Sequence, residues 1–143
     1  MKRVVVTGLG LVTALGNDVP TCWANLIAGK SGAGAITHFD SSKFKTQFAC
    51  EVKDLDVSNL FDPKELRRYD RYIHLTVKSA EEAINNAGLH ITQENLLRCG
   101  VIYGSGMGGV KTLDTNIGEF GAGDGTPRYS PFFIPMIITN MAA

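Results

Sequence analysis

Nine of the sixteen glycines fall between Gly100 and Gly125. That crowding weakens any helix or strand that crosses it, because glycine gives up the most backbone freedom when it is ordered. What such a stretch allows is a turn that another group approaches closely. It begins beside Val101-Ile102-Tyr103, an apolar, β-prone run. The segment therefore reads as a buried strand, then the turn Gly104-Ser105-Gly106-Met107-Gly108-Gly109, then a helix to about Phe120. The N-terminus has a similar grammar. Val4-Val5-Val6-Thr7 are all β-branched and run into Gly8-Leu9-Gly10. Lys2 and Arg3 before this stretch also imitate a secretion signal, but the glycines and β-branching weaken a helical signal core and favour strand.

The other segments complete a mixed α/β pattern. Asn17 or Asp18 can cap a helix to about Ala28, with Trp23, Leu26 and Ile27 apolar and Gly29 as its stop. Residues 31–42 read as loop, and Lys45 to Val52 as a short strand. Asp62-Pro63 predicts another helix start. A long helix follows over Arg71 to Ala87, closed by Gly88, with the stripe Ile73, Val77, Ala80, Ile84 and Ala87. Thr92 and Asn95 mark a short turn or helix, and Pro135 opens a last apolar helix holding Ile137, Ile138 and Met141. Two convincing strands make a poor core, and the last helical pattern lacks a terminator. Both features predict that the 143 residues are part of a larger protein.

Fourteen basic residues balance fourteen acidic ones. That argues against nucleic-acid or membrane-surface binding, which requires net basic charge. No apolar run approaches the roughly 20 residues of a membrane helix. Cys22, Cys50 and Cys99 are scattered and odd in number, which fits a reducing, cytoplasmic setting better than a disulfide framework.

Several motifs prove incomplete. Gly104-x-Gly106-x-x-Gly109 matches the dinucleotide fingerprint, yet the window beyond it holds Glu119, Asp124 and a glycine loop where a second strand and ribose acid belong. A dinucleotide-binding module is thus a weak rival reading. Gly29-Lys30-Ser31 imitates a phosphate loop, but Ala24 occupies the required glycine position. Ser105 lacks the nucleophile-elbow pattern, since Tyr103 precedes it by two. His38, His74 and His90 share no metal-ligand spacing, and His74 reads as a partly buried, satisfied histidine. No cofactor or metal is called for. Lys64, Arg67, Arg68 and Arg71 share one face at helical spacing. On charge alone they are either a solvated face or a dock for an acidic partner.

The chain as a whole resembles the elongating type II β-ketoacyl-acyl carrier protein synthases of the thiolase-like superfamily. The likeness runs in order from Arg3-Val4-Val5-Val6-Thr7-Gly8-Leu9-Gly10 through Gly16-Asn17, Trp23, Gly29-Lys30-Ser31-Gly32 and His38-Phe39-Asp40. It continues through the Gly104–Gly109 turn, Ser130-Pro131-Phe132-Phe133-Ile134-Pro135 and Asn140-Met141. It implies the N-terminal part of an αβαβα sandwich, incomplete in these residues, in a homodimeric enzyme that condenses an acyl thioester with malonyl-carrier protein. It also implies that the nucleophilic cysteine and two catalytic histidines lie outside this stretch, so no catalytic residue is assigned here. Met107, Phe133 and Ile134 fall at positions that line the acyl pocket, the latter two across the dimer contact. Lys64, Arg67 and Arg68 fall on the carrier-docking patch, which turns the charge reading toward acyl carrier protein. A non-catalytic partner subunit of the chain-length-factor type shares this pattern and stays open as an alternative.

Overall fold

The computed structural model describes residues 3–143. They form two compact units: residues up to Asp56 with Lys78–Leu89, and Val57–Val77 with His90–Ala143. Lys2, part of the signal-like pattern, lies outside the described residues.

In the first unit, α1 spans Val19–Ile27. Asp18 caps it by accepting from the Thr21 N–H at 2.7 Å, and that bond holds the Asp18 carboxyl below its usual range. Gly29, at φ +66°, ends it, with the Lys30 N–H reaching the Asn25 carbonyl. The Gly-Lys-Ser sequence is therefore a helix stop. Only Cys22 of this helix is buried; Trp23, Leu26 and Ile27 are exposed, against the expected apolar face. Two short strands, β1 (Gly34–Ala35) and β2 (Phe48–Ala49), pair antiparallel. The expected strand over 45–52 shrinks to β2, and its partner comes from a stretch read as loop.

Val4–Thr7 forms no strand, because no neighbour within the described residues offers a ladder; Val4 is 95% exposed. The glycines after it have a packing role instead. A Cβ on Gly8 would stand 2.2 Å from the Ala83 carbonyl oxygen, and one on Gly10 1.8 Å from that of Ser79. Both contacts fall on α2 (Arg71–Ala87), whose Lys78–Ala87 part belongs to this unit. Leu9 and Leu11 donate their N–H groups to Asn86 and Glu82 at 3.1 and 2.9 Å. The row Ser79, Ala83, Ala87 is small enough to admit this backbone, so the expected stripe is displaced and Ala80 and Ile84 are exposed.

The bounds of α2 match the sequence reading, and Gly88 (φ +59°) stops it through a Schellman pair of bonds, Gly88 to Asn85 and Leu89 to Ile84. In the second unit, Ile73 of α2 is buried with Val57, Phe61 and Asp70. Asn95 closes a turn on the Thr92 N–H before a 3₁₀ turn, Leu96–Arg98. Val101–Tyr103 is likewise no strand for want of a ladder, and Val101 and Ile102 are exposed. Then come α3 (Val110–Ala122) and α4 (Phe133–Ile137). The last helix starts two residues before Pro135, because the Ser130 carbonyl already receives the Phe133 N–H. It breaks at Ile138, which is extended (ψ 135°), before a 3₁₀ turn, Thr139–Ala142. No helix among the described residues is long and apolar enough to cross a membrane.

Candidate functional site

The glycine turn is closed by Ser105, whose Oγ accepts from the Gly108 N–H at 2.9 Å. Gly108 has φ +61°, and a Cβ there would lie 2.4 Å from the Ile137 carbonyl oxygen. At Gly109 a Cβ would lie 2.0 Å from that of Met136. This pair lets the end of α4 touch the turn, and the Gly109 N–H donates to the Ile137 carbonyl at 3.3 Å. The helix that follows is capped from far away in sequence. Buried Asp70 accepts at one carboxylate oxygen from both the Thr112 N–H and the Thr112 hydroxyl. In a dinucleotide site these N–H groups would meet pyrophosphate. Here a carboxylate and a carbonyl of the chain itself meet them, which counts against the dinucleotide reading.

Asp62 begins the basic segment as the sequence predicts. Its Oδ1 accepts from the N–H groups of Lys64 and Glu65 at 2.7 and 2.8 Å, while Glu65 accepts from the Asp62 N–H at 2.9 Å, a complete capping box. No α-helix follows. After one four-residue bond, Leu66 to Asp62, the bonds tighten to three-residue spacing, Arg67 to Lys64 and Arg68 to Glu65, so residues 63–68 form successive turns. Lys64, Arg67 and Arg68 stand exposed on them, and among the described residues none of the three is ion-paired. The Arg68 guanidinium lies over the Phe132 ring, 4.8 Å from its centroid. Sequence reasoning missed Asp70; one acid beside a basic run offered no sign that it caps a helix 40 residues away.

Two of the three residues expected at the pocket are exposed. Met107 is 73% exposed and Ile134 57% exposed. Phe133 is half-buried and stacked on Tyr129, centroids 5.1 Å apart. The turn of Met107 and the helix of Phe133 and Ile134 do meet, through Gly109 and Ile137.

His74 packs against the Phe61 ring, and burial pushes its pKa below the ordinary value. Its Nε2 has no hydrogen-bond partner, which corrects the expectation of a satisfied histidine. Cys22 Sγ donates to the Gly16 carbonyl at 3.1 Å and lies 3.2 Å from the Thr13 hydroxyl, a buried structural thiol. Among the described residues no three of His, Cys, Asp and Glu gather as a metal site would require.

The sequence model of the family described as "Beta-ketoacyl synthase, N-terminal domain" matches residues 1–143. The chain belongs to the β-ketoacyl synthase family. Over 142 residues this synthase segment is 44% identical to 3-oxoacyl-[acyl-carrier-protein] synthase 2 of Coxiella burnetii and 44% identical to that of Synechocystis. Each alignment covers 99% of this chain and 34% of the relative, so the chain spans about a third of the curated relatives it matches. A β-ketoacyl synthase from Burkholderia phymatum superposes over the whole chain with a TM-score of 0.76 at 27% identity, covering 35% of that protein. The ishigamide ketosynthase/chain length factor superposes over 94% of this chain and 33% of its own, with a TM-score of 0.68 at 28% identity. The α/β fold of this synthase segment is accordingly the N-terminal part of the thiolase-like sandwich.

Proposed function

We propose that these residues are the N-terminal half-domain of a cytoplasmic, homodimeric 3-oxoacyl-[acyl carrier protein] synthase that elongates fatty acids. The observation that carries the reading is the 44% identity sustained over 142 residues to synthases of that name. In the proposed reaction, a cysteine thiolate elsewhere in the enzyme takes the acyl chain from its carrier as a thioester. Malonyl-carrier protein loses CO₂, the carbanion attacks the thioester carbonyl, and the cysteine leaves as thiolate, giving the 3-oxoacyl-carrier product. Two histidines outside these residues assist decarboxylation. Cys22 is not that nucleophile, since its sulfur is buried and bonded to Gly16.

Three tasks fall to this segment. Lys64, Arg67 and Arg68 receive the acidic carrier protein; their exposure and their lack of ion pairs among the described residues support this. Met107 presses on the acyl tunnel. Phe133 and Ile134 reach the partner subunit and line its pocket.

The likeness to a ketosynthase/chain length factor favours a second reading, a partner subunit without its own nucleophile. One assay separates the two. Purified full-length protein, given acyl- and malonyl-carrier protein, releases CO₂ and 3-oxoacyl-carrier product on the first reading. On the second it does neither until a catalytic subunit is added.

A further inference from the structure

An open cavity of about 500 Å³ in the second unit is lined from three separated stretches. The capped turn and the start of α2 supply Arg67 and Arg71, α3 supplies Lys111, and the 130–136 segment supplies Ser130 and Phe133. Three cationic side chains therefore surround it. Asp70 is the one carboxylate of the lining, and it is committed to the N–H and hydroxyl of Thr112. His74 also lines the cavity, and with its pKa lowered by burial it adds no charge near neutral pH. With three cations against one carboxylate, the concave site carries a net positive field and draws in the opposite charge. Arg67 belongs both to this cavity and to the exposed basic turn, so the two surfaces are continuous.

We propose that Arg71 and Lys111, together with Arg67, form an anion-receiving recess that extends the docking face and takes a carboxylate side chain from the acidic surface of the carrier protein. The inference rests on the carrier-docking reading above and adds two residues to it. Arg71 belongs to the basic run visible in the sequence. Lys111 does not; the fold brings it there from 40 residues away. The recess gives the carrier a fixed register, because a carboxylate must enter a bounded space among hydrogen-bond donors. A flat basic face would attract it without orienting it.

The test is the dissociation constant of labelled acyl carrier protein with the full-length protein, at low and high salt. Arg71→Glu with Lys111→Glu should weaken binding about three- to tenfold at low salt, and Arg71→Gln with Lys111→Gln by less. The loss should fade at ~0.5 M salt as screening sets in. The charge-keeping pair Arg71→Lys with Lys111→Arg should bind within about twofold of the parent. An unchanged constant in the reversed pair, while the Lys64, Arg67 and Arg68 reversal still weakens binding, overturns the recess and leaves the docking face standing. Equal losses in the reversed and charge-keeping pairs also overturn it, because the role is then packing. If neither reversal changes the constant, the docking reading fails and the recess with it.

Discussion

In the 8–10 segment, both glycines touch helix backbone; at the 104–109 turn, only the last two do. Gly8 and Gly10 stand against carbonyl groups of α2, and Gly108 and Gly109 against those of α4, all closer than a Cβ could tolerate. Gly104 and Gly106 have nothing within 4 Å of where a Cβ would be. The first segment is wholly spent on packing. The second is half packing and half open, and Met107 sits at the junction. A glycine pair in a sequence therefore reports a close approach without saying whether the approaching group is the chain itself or a ligand.

Substitution by alanine should separate these positions sharply. Gly10→Ala places a methyl 1.8 Å from a carbonyl oxygen that helix hydrogen bonding holds still. It should cost about 3 kcal/mol in denaturant unfolding of the full-length protein. Gly108→Ala adds a positive-φ penalty of about 1–3 kcal/mol to its own clash. Gly106→Ala should stay within about 0.5 kcal/mol of the parent. Near-equal costs at all three would break the comparison.

Asp70→Asn probes what holds the second turn in place. It keeps the shape but removes the charge at the α3 N-terminus and weakens the bonds to Thr112. The expected loss is about 1–2 kcal/mol. A neutral result would mean that the contact of Gly109 with Ile137 fixes α3 by itself.

The legible parts of this fold were those decided locally. Asp18, Gly29, Asp62 and Gly88 act where they stand, within one helical turn, and each was readable. A strand is not local. Val4–Thr7 and Val101–Tyr103 carry strand composition, but composition supplies no ladder partner, and within the described residues they have none. The phase of α2 failed for a related reason: the large stripe looked like the buried face, whereas the small row Ser79, Ala83, Ala87 is what a glycine backbone can approach. The site divides in the same way. Lys64, Arg67 and Arg68 lie within one turn and were legible as a group, while Asp70 with Thr112 and Arg67 with Lys111 pair across more than 40 residues.

Met107 sharpens the open half of the second turn. Moving an unbranched methionine aside costs about 0.5–1.5 kcal/mol, so its effect on turnover should be modest. Met107→Phe should slow long acyl substrates and spare short ones, and Met107→Gly should relax that discrimination. Parent-like profiles across acyl length in both variants would assign Met107 to surface filling.

The smallest effect is a pH slope. Burial lowers the His74 pKa in the folded state below its ordinary 6.5, so the unfolded chain binds protons that the folded one resists. Stability is then full above pH 6.5 and falls as pH drops below it. His74→Phe, which keeps a ring against Phe61, should flatten that part of the pH profile. An unchanged slope would place its origin in other groups.

Under the proposed function, this segment carries the face at which an acyl carrier protein would meet the condensing enzyme. The most direct measurement is kcat/KM of the full-length protein for acyl-carrier substrate at low salt, with Lys64, Arg67 and Arg68 all reversed to glutamate. Each exposed charge contributes about 0.2–1 kcal/mol, so the triple change should lower kcat/KM by about tenfold, and the deficit should narrow as salt is raised. A triple variant that matches the parent at low salt would reduce these three residues to a solvated surface and contradict the account.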